Sequence, residues 1–257
     1  MYRQLTQITT NSMKQTFFEI ESNRALTESV YEMTLKGDTS AITRPGQFVE
    51  LSLEGLFLRR PISVCNYDEG KLTLIYKVVG KGTAQMAELK QGVVIDTLTG
   101  LGNGFNDSVE CTHPLLIGGG VGVPPLYRLA RNLIAQGKSV TVVLGFNTAS
   151  EIFYKEQFEA LGAKVVVATA DGSEGVKGFV TDAIAQSGIE ADYFYSCGPL
   201  PMLRALTSAL DIDGEVSLEE RMGCGFGICM GCSINTKSGA KRVCKEGPVF
   251  KKEEVLW

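Results

Sequence analysis

The sequence predicts a multidomain β plus α/β protein, with an N-terminal antiparallel β-barrel, a parallel α/β domain and a small C-terminal cysteine-rich module. Three observations support this prediction. Short alternating strands fill the first part of the chain, strands alternate with helices in the middle, and cysteines crowd between glycines near the end. We place the domain boundaries at residues 1–110, 111–212 and 213–257.

The first domain is recognised by strands with a period of two. The stretches YEMTLKG (31–37), RPGQFVELSL (44–53) and KLTLIYKVV (71–79) each place apolar residues on one face. The Pro45-Gly46 pair marks a turn before the second of them. Short strands separated by turn signals are typical of an antiparallel barrel or sandwich.

The middle domain begins with HPLLIGGG at residues 113–120, an apolar run that ends in glycines. The next stretch, PPLYRLARNLIAQG (124–137), has an apolar stripe of helical period, a proline in its first turn and a glycine at its end. Further strands and helices then alternate up to about residue 210. This alternation indicates a parallel sheet.

Composition narrows the classes of function. The 257-residue chain has a net charge of −4 and 44% hydrophobic residues, so it lacks the basic surface that nucleic-acid binding requires. The first 15 residues hold no apolar stretch, which predicts neither a signal peptide nor a membrane span. We therefore expect a cytoplasmic protein with reduced thiols and no membrane partner.

The seven cysteines are an odd number, and four of them form one pattern, Cys224-x4-Cys229-x2-Cys232-x11-Cys244. This is the plant-type spacing for a [2Fe–2S] cluster, in which a tight loop supplies three thiolates and a distant residue the fourth. Glycines between the cysteines let backbone N–H groups approach the sulfurs. A structural zinc site is the alternative, although it more often uses two C-x2-C pairs.

A second candidate site is the loop LLIGGGVGVPPLYRL, which carries Gly120, Gly122 and Pro125 between a strand and a helix. Such loops direct N–H groups and a helix N-terminus at a pyrophosphate. Another strand ends in Cys197-Gly198, followed by proline. Because ligands bind beyond the carboxyl ends of strands in α/β sheets, we expect this turn to face the same crevice. Taken alone, Cys197 is interpreted as a buried structural cysteine.

The third candidate site lies in the predicted barrel. Arg59-Arg60 precedes one strand, and Gly82-Thr83 follows another. Each pair alone is typical of a solvated basic surface or an ordinary helix cap. Together they offer a cation and backbone donors to a second phosphate-bearing ligand.

The sequence shows no recognisable pattern of side chains for acid–base catalysis. The single histidine, His113, precedes a buried strand, and no Ser/His/Asp set or carboxylate pair stands in a familiar frame. We therefore predict no catalytic residue of this chain's own, and expect redox chemistry through bound cofactors.

These motifs resemble the ferredoxin–NADP reductase superfamily, in which a flavin barrel with an R-x-x-S element precedes a nicotinamide domain with G-x-G-x-x-P and C-G-P motifs. The cysteine set narrows the resemblance to the electron-transfer subunits of class 1B dihydroorotate dehydrogenases. RRPIS, IYKVVGKGT, GLGNGF, GGGVGVPPL, CGP and ERMGCGFGICMGC follow in that family's order and span nearly the whole chain.

The resemblance implies FAD in the first domain and NAD as the substrate of the second. Arg60 would bind a phosphate, and Ser63 would lie near the isoalloxazine ring. The residues that it assigns to FAD are Arg60, Pro61, Ile62, Ser63, Ile75, Tyr76, Lys77, Gly82 and Thr83. Those that it assigns to NAD are Gly120, Gly122, Pro125, Cys197 and Gly198. No arginine follows the strand SVTVVLGF to bind a 2′-phosphate, which favours NAD.

The resemblance also implies a relay with a partner. NADH would reduce FAD, and electrons would then pass singly through the cluster to an FMN-containing catalytic subunit that interconverts dihydroorotate and orotate in pyrimidine biosynthesis. The family assembles as a heterotetramer with two copies of each subunit. One alternative is a diaphorase-type subunit of a sulfhydrogenase or of an electron-bifurcating NADH–ferredoxin–NADP enzyme. A non-redox zinc-binding nucleotide sensor is a second.

Overall fold

The computed structural model describes residues 13–257, so the prediction for the extreme N-terminus lies outside the described residues. The first half of the chain forms a closed antiparallel barrel in the order β1-β2-β5-β4-β3-β6. Its strands are β1 (Lys14–Ala25), β2 (Val30–Lys36), β3 (Phe48–Leu51), β4 (Arg60–Asp68), β5 (Lys71–Lys77) and β6 (Val94–Leu101). Helix α1 (Lys81–Glu88) joins β5 to β6. The predicted barrel is confirmed.

The period of two explains why these segments are strands. Met33, Leu35 and Leu51 are fully buried inside the barrel, while their alternate neighbours face outward or pack on other parts of the chain. The predicted apolar faces therefore form the barrel's core.

The second half forms a seven-stranded sheet in the order β10-β9-β8-β7-β11-β12-β15. Its strands are β7 (Pro114–Gly119), β8 (Thr141–Phe146), β9 (Lys164–Thr169), β10 (Val176–Lys177), β11 (Tyr193–Cys197), β12 (Gly214–Ser217) and β15 (Val249–Lys251). The helices are α2 (Pro125–Ala135), α3 (Lys155–Ala160), α4 (Val180–Gln186) and α5 (Leu200–Ala209). All pairings are parallel except that of β12 with β15, so the predicted parallel α/β sheet is confirmed.

Helix α2 shows how the sequence fixes these boundaries. It begins at Pro125, whose missing N–H costs nothing in a first turn. It buries Leu126, Leu129 and Leu133 along one stripe. Just beyond it, Gly137 has φ +80°, a conformation that favours glycine.

The C-terminal segment is not a separate layer. Strands β12 and β15 extend the sheet, while β13 (Ser233–Thr236) and β14 (Gly239–Arg242) form a hairpin that carries the cysteine-rich loop. Cys232 and Cys244 pack in an apolar cluster with Phe48 of the barrel and Phe250 of β15. The boundaries 1–110, 111–212 and 213–257 stay a prediction about domain organisation.

Polar contacts fix the barrel against the sheet domain. The Tyr154 hydroxyl donates to Glu32 at 2.8 Å, and Arg131 pairs with Asp68 at 2.8 Å. Arg128 covers the Tyr67 ring at 4.2 Å from its centroid. Within residues 13–257, no helix is long and apolar enough to span a membrane.

Candidate functional site

A crevice of about 700 Å³ separates the barrel from the sheet, and both contribute to its walls. The barrel side presents Pro61, Ser63 and Lys77. The sheet side presents the glycine loop after β7 and the turn after β11. The crevice therefore unites residues that the sequence suggested for two different ligands.

The glycine loop and the Cys197-Gly198 turn are in direct contact. Strands β7 and β11 pair in parallel, with Cys197 beside Gly118. A side chain at Gly122 would have its Cβ only 2.2 Å from the Cys197 carbonyl oxygen, so only glycine fits there. Gly120 takes φ +52°, whereas Pro125 is buried at the start of α2 and does not line the crevice.

The chemistry of Cys197 is that of a neutral thiol. Burial raises the pKa of Cys197 to about 12, and a hydrogen bond with Ser217 offsets only part of this effect. A thiol of this kind is a poor nucleophile at neutral pH. It suits contact with an uncharged ring better than covalent chemistry.

Three of the residues suggested for FAD point their side chains into apolar cores. Tyr76 is buried in the barrel, where its hydroxyl donates to Asn23 at 2.9 Å. Ile75 packs between the barrel and the sheet, and Ile62 packs against the barrel core. Because the Tyr76 side chain is buried and bonded to Asn23, only its backbone could contact a ligand.

Arg60 and Gly82 form a separate polar corner at the start of α1. A Cβ at Gly82 would be 2.1 Å from Arg60 Nε, so the arginine occupies the space that a side chain would need. The Thr83 hydroxyl accepts the Val79 N–H at 2.9 Å and so orders this helix start. A cation beside a helix N-terminus fits a phosphate group.

The two adjacent arginines have different roles. Arg59 donates to both carboxylate oxygens of Asp96, at 3.2 Å and 2.7 Å, and is therefore already neutralised. Among the described residues, Arg60 donates hydrogen bonds only to the carbonyl oxygens of Leu58 and Arg59, and it forms no ion pair. Its charge is left for a ligand, which supports the assignment of Arg60 rather than Arg59.

The four cysteines of the spacing motif form two pairs. Cys232 and Cys244 have their sulfurs 3.2 Å apart, and Cys224 is hydrogen-bonded to Cys229. Within residues 13–257, no three His, Cys, Asp or Glu side chains converge as ligands of one metal ion. Two pairs suit a cluster with two irons better than a single tetrahedral ion.

The loop around Cys224 is built to hold a thiolate. Its sulfur accepts the N–H groups of Ile228 at 3.3 Å and Cys229 at 3.4 Å. Burial raises the pKa of Cys224, but these N–H donors, together with that of Phe226, outweigh it and lower the pKa below its usual value. By contrast, burial and the neighbouring Cys232 raise the pKa of Cys244. The donor set fits an iron–sulfur cluster, which takes up these sulfurs as thiolates.

The cysteine loop contacts strand β3, which is next to the wall of the crevice. The Glu50 carboxylate covers Gly225, where an added Cβ would lie 2.2 Å from the carboxyl carbon. Glu50 pairs with Pro61 of the crevice wall across β3 and β4. Sequence reasoning missed this contact because Glu50 looks like one more polar residue in an alternating strand.

Other residues of the crevice were missed as well. Its lining also includes Phe146, Phe179, Glu219 and Pro248. Phe146 and Phe179 lie where β8 and β10 end, so the rule that ligands bind at carboxyl ends could have found them. Pro248 could not be found in this way because it arrives from the C-terminal segment.

A closed flavin-type barrel, a nucleotide-type sheet and a crevice between them define a reductase of the ferredoxin–NADP reductase type, here extended by an iron–sulfur module. Residues 116–208 match the family described as the oxidoreductase NAD-binding domain. Residues 219–256 match the iron-sulfur cluster binding domain of dihydroorotate dehydrogenase B.

Comparison with whole chains agrees with these family matches. The chain is 44% identical over 251 residues to the dihydroorotate dehydrogenase B (NAD(+)) electron transfer subunit of Bacillus mycoides, covering 92% of this chain and 96% of that one. It is 43% identical over 255 residues to the subunit of the same name from Bacillus pumilus, covering 95% and 98%. The chain belongs to the family of dihydroorotate dehydrogenase B electron transfer subunits.

Solved structures give the same architecture. A structure of the NADH-dependent reduced ferredoxin–NADP oxidoreductase, studied for flavin-based electron bifurcation, has a TM-score of 0.84 and 33% identity, covering 93% of this chain and 90% of that one. The Amycolatopsis cytochrome P450 reductase GcoB, with a TM-score of 0.69 and 22% identity, shares the fold over 77% of this chain and 65% of its own. The protein is an NAD-linked oxidoreductase subunit whose cofactors are FAD and a [2Fe–2S] cluster, with NAD as its substrate.

Proposed function

We propose that this chain transfers electrons between NAD(H) and an FMN-containing catalytic subunit that interconverts dihydroorotate and orotate. One observation carries this proposal. Barrel strand β3, through Glu50 and its neighbour Pro61, adjoins both the nucleotide crevice and the cysteine loop. A short path between a flavin in the crevice and a cluster in the loop follows from that arrangement.

The crevice residues serve to bind and orient. The glycine loop at Gly120 and Gly122 offers N–H groups to the pyrophosphate of NAD(H). Cys197 and Gly198 line the crevice together with Pro61 of the barrel, and we assign them to the nicotinamide end of NAD(H). When bound, the flavin accepts a hydride from NADH and delivers electrons one at a time to the cluster.

For FAD, we assign the phosphate to Arg60 and the start of α1 at Gly82 and Thr83. Pro61, Ser63 and Lys77 face the crevice, where the isoalloxazine ring would lie. Ile62, Ile75 and Tyr76 shape this wall from behind, because their side chains lie in apolar cores.

The partner approaches the edge of the cluster. Ile228 is 77% exposed and Met230 is 53% exposed, and they flank the exposed ligand Cys229. Large exposed apolar side chains around a redox centre favour a docking site. We assign this exposed part of the cysteine loop to the FMN-containing subunit. The complex would be a heterotetramer with two copies of each subunit. We place it in the cytoplasm, where cluster thiols stay reduced.

The test is purification of the tagged chain from its native host, followed by an assay of NADH-dependent orotate reduction. We expect a co-purifying subunit that contains FMN, together with orotate reduction. Ile228→Glu should abolish orotate reduction while NADH oxidation by an artificial dye continues, because hydride transfer is remote from the loop.

A second candidate has specific support. The structure from the electron-bifurcating enzyme shares this fold at 33% identity. A co-purifying partner without FMN that reduces NADP or ferredoxin instead of orotate would contradict our proposal and establish that candidate.

A further inference from the structure

A second exposed apolar surface lies on the barrel, outside the crevice. Phe17 of β1 is 64% exposed, and Val94 of β6 is 57% exposed. In the antiparallel register, Phe17 lies opposite Asp96, and Glu19 lies opposite Val94. Residues two apart on a strand share a face, so both apolar side chains project from the same outer face. We call these residues, with Asp96, the barrel face.

The barrel face is continuous with the cysteine loop. Arg59 donates a hydrogen bond to the Asp96 carboxylate at 2.7 Å and another to the Glu50 carbonyl oxygen at 3.4 Å. The Glu50 carboxylate in turn covers Gly225. Neighbouring strands lie about 4.8 Å apart, so the two steps from β1 through β6 to β3 span about 10 Å. A series of neighbouring residues, from Phe17 through Asp96, Arg59 and Glu50, therefore connects the barrel face with the cysteine loop at Gly225.

Single exposed apolar residues are common and need no explanation. Here, however, Phe17 and Val94 belong to a face that the contacts above connect to the cysteine loop, and that loop exposes Ile228 and Met230 on either side of Cys229. Apolar residues of this size concentrated around a redox centre are typical of a protein interface. An ion pair among such apolar residues, here that of Arg59 with Asp96, is typical of the polar part of an interface.

We propose that the catalytic partner subunit docks on the barrel face as well as on the cysteine loop, with Phe17 and Val94 as apolar anchors. This inference rests on the proposed function, since it takes the same partner as the occupant. That occupant is favoured over a second copy of this chain because the cluster must deliver electrons to an acceptor. Two copies facing each other would bring two clusters together and exclude the acceptor from this edge.

The test is the affinity between the purified holo-chain and the FMN-containing catalytic subunit, measured by isothermal titration calorimetry. Phe17→Glu should raise the dissociation constant about tenfold or more, as for a central apolar anchor. Phe17→Leu should largely preserve binding. The matched control is Leu200→Glu at the start of α5, because Leu200 is 63% exposed but belongs to the sheet domain. This control should bind like the wild type.

Dye reduction by NADH should be unchanged in Phe17→Glu, which shows that the fold and the crevice are intact. A dissociation constant within about twofold of the wild type for both Phe17→Glu and Val94→Glu would overturn the barrel-face proposal. A wild-type chain that forms a homodimer sensitive to Phe17→Glu would show that the occupant is a second copy. A loss of binding in Ile228→Glu alone would support the proposed function and refute this extension of it.

Discussion

At the scale of single residues, close approaches decide which positions admit no side chain. Gly225 takes φ +72° and lies under the Glu50 carboxylate, whereas Gly231 of the same loop has only an ordinary contact, 3.5 Å from its Cβ position to the Cys229 sulfur. The two glycines look equivalent in the sequence. Only the folded arrangement shows that one of them is required by a neighbouring strand.

We expect Gly225→Ala to reduce cluster content and to destabilise the protein by at least about 1–2 kcal/mol, because of the left-handed backbone and the collision with Glu50. Iron and sulfide analysis together with the melting temperature measures both effects. Gly231→Ala is the matched control and should retain its cluster. Equal cluster content in the two variants would contradict this role of Gly225.

The adjacent arginines give a second prediction at this scale. Arg60→Ala removes a charge-assisted bond to a phosphate, worth about 1.5–3 kcal/mol, so FAD affinity should fall about ten- to hundredfold. Arg59→Ala should leave FAD affinity nearly unchanged, because Arg59 is paired with Asp96. Flavin fluorescence titration of the apoprotein compares the two. Equal losses would contradict the assignment.

At the scale of elements, the cysteine loop depends on a hairpin that closes it. Cys224, Cys229 and Cys232 come from the loop itself, whereas Cys244 follows β14 and meets Cys232 across the hairpin. The pairing of β13 with β14 therefore brings the fourth cysteine of the motif next to the loop.

Replacing any one of Cys224, Cys229, Cys232 or Cys244 with Ser should impair cluster assembly while FAD still binds the barrel. Cys111→Ser is the control, because Cys111 lies outside the loop and contacts Lys138. Iron, sulfide and flavin contents of the purified variants are the measurement. A full complement of iron and sulfide in Cys244→Ser would exclude that residue as a ligand.

Most elements could be predicted from the sequence because their signals are local. The alternating strands, the helix that begins at Pro125 and the cysteine spacing each reflect neighbours along the chain. The addition of β12 and β15 to the sheet could not be predicted, since it depends on a return of the chain from the C-terminal segment. For the same reason, the contact of Glu50 with Gly225 and the connection of Phe17 to the loop through Asp96 and Arg59 required the structure.

At the scale of the whole molecule, Glu215 couples the sheet to the linker that leaves the barrel. Its carboxylate is buried on β12 and accepts the Asn106 N–H at 2.9 Å. Burial raises the pKa of Glu215 to about 7, although the Asn106 N–H and Lys251 lower it in part. The folded state then binds more protons than the unfolded state between about pH 4.5 and pH 7, so stability falls as pH rises through that range.

Glu215→Gln removes this charging cost, which is about 3 kcal/mol for such a shift. The melting temperature of the variant relative to the wild type should therefore rise by about 5 °C or more between pH 5 and pH 8. Thermal unfolding followed by circular dichroism at one scan rate measures the difference. The exposed Glu190→Gln is the control. A difference that does not change with pH would show that Glu215 is not the group responsible.

The central claim is that one chain holds two carriers that NADH reduces in series. The most direct test is an anaerobic titration of the purified chain with NADH, followed by visible absorbance and electron paramagnetic resonance. A flavin accepts two electrons and a [2Fe–2S] cluster one, so the account predicts about three electron equivalents per chain, with the cluster signal appearing on reduction. An endpoint of about two equivalents with no cluster signal, or no reduction by NADH, would contradict it.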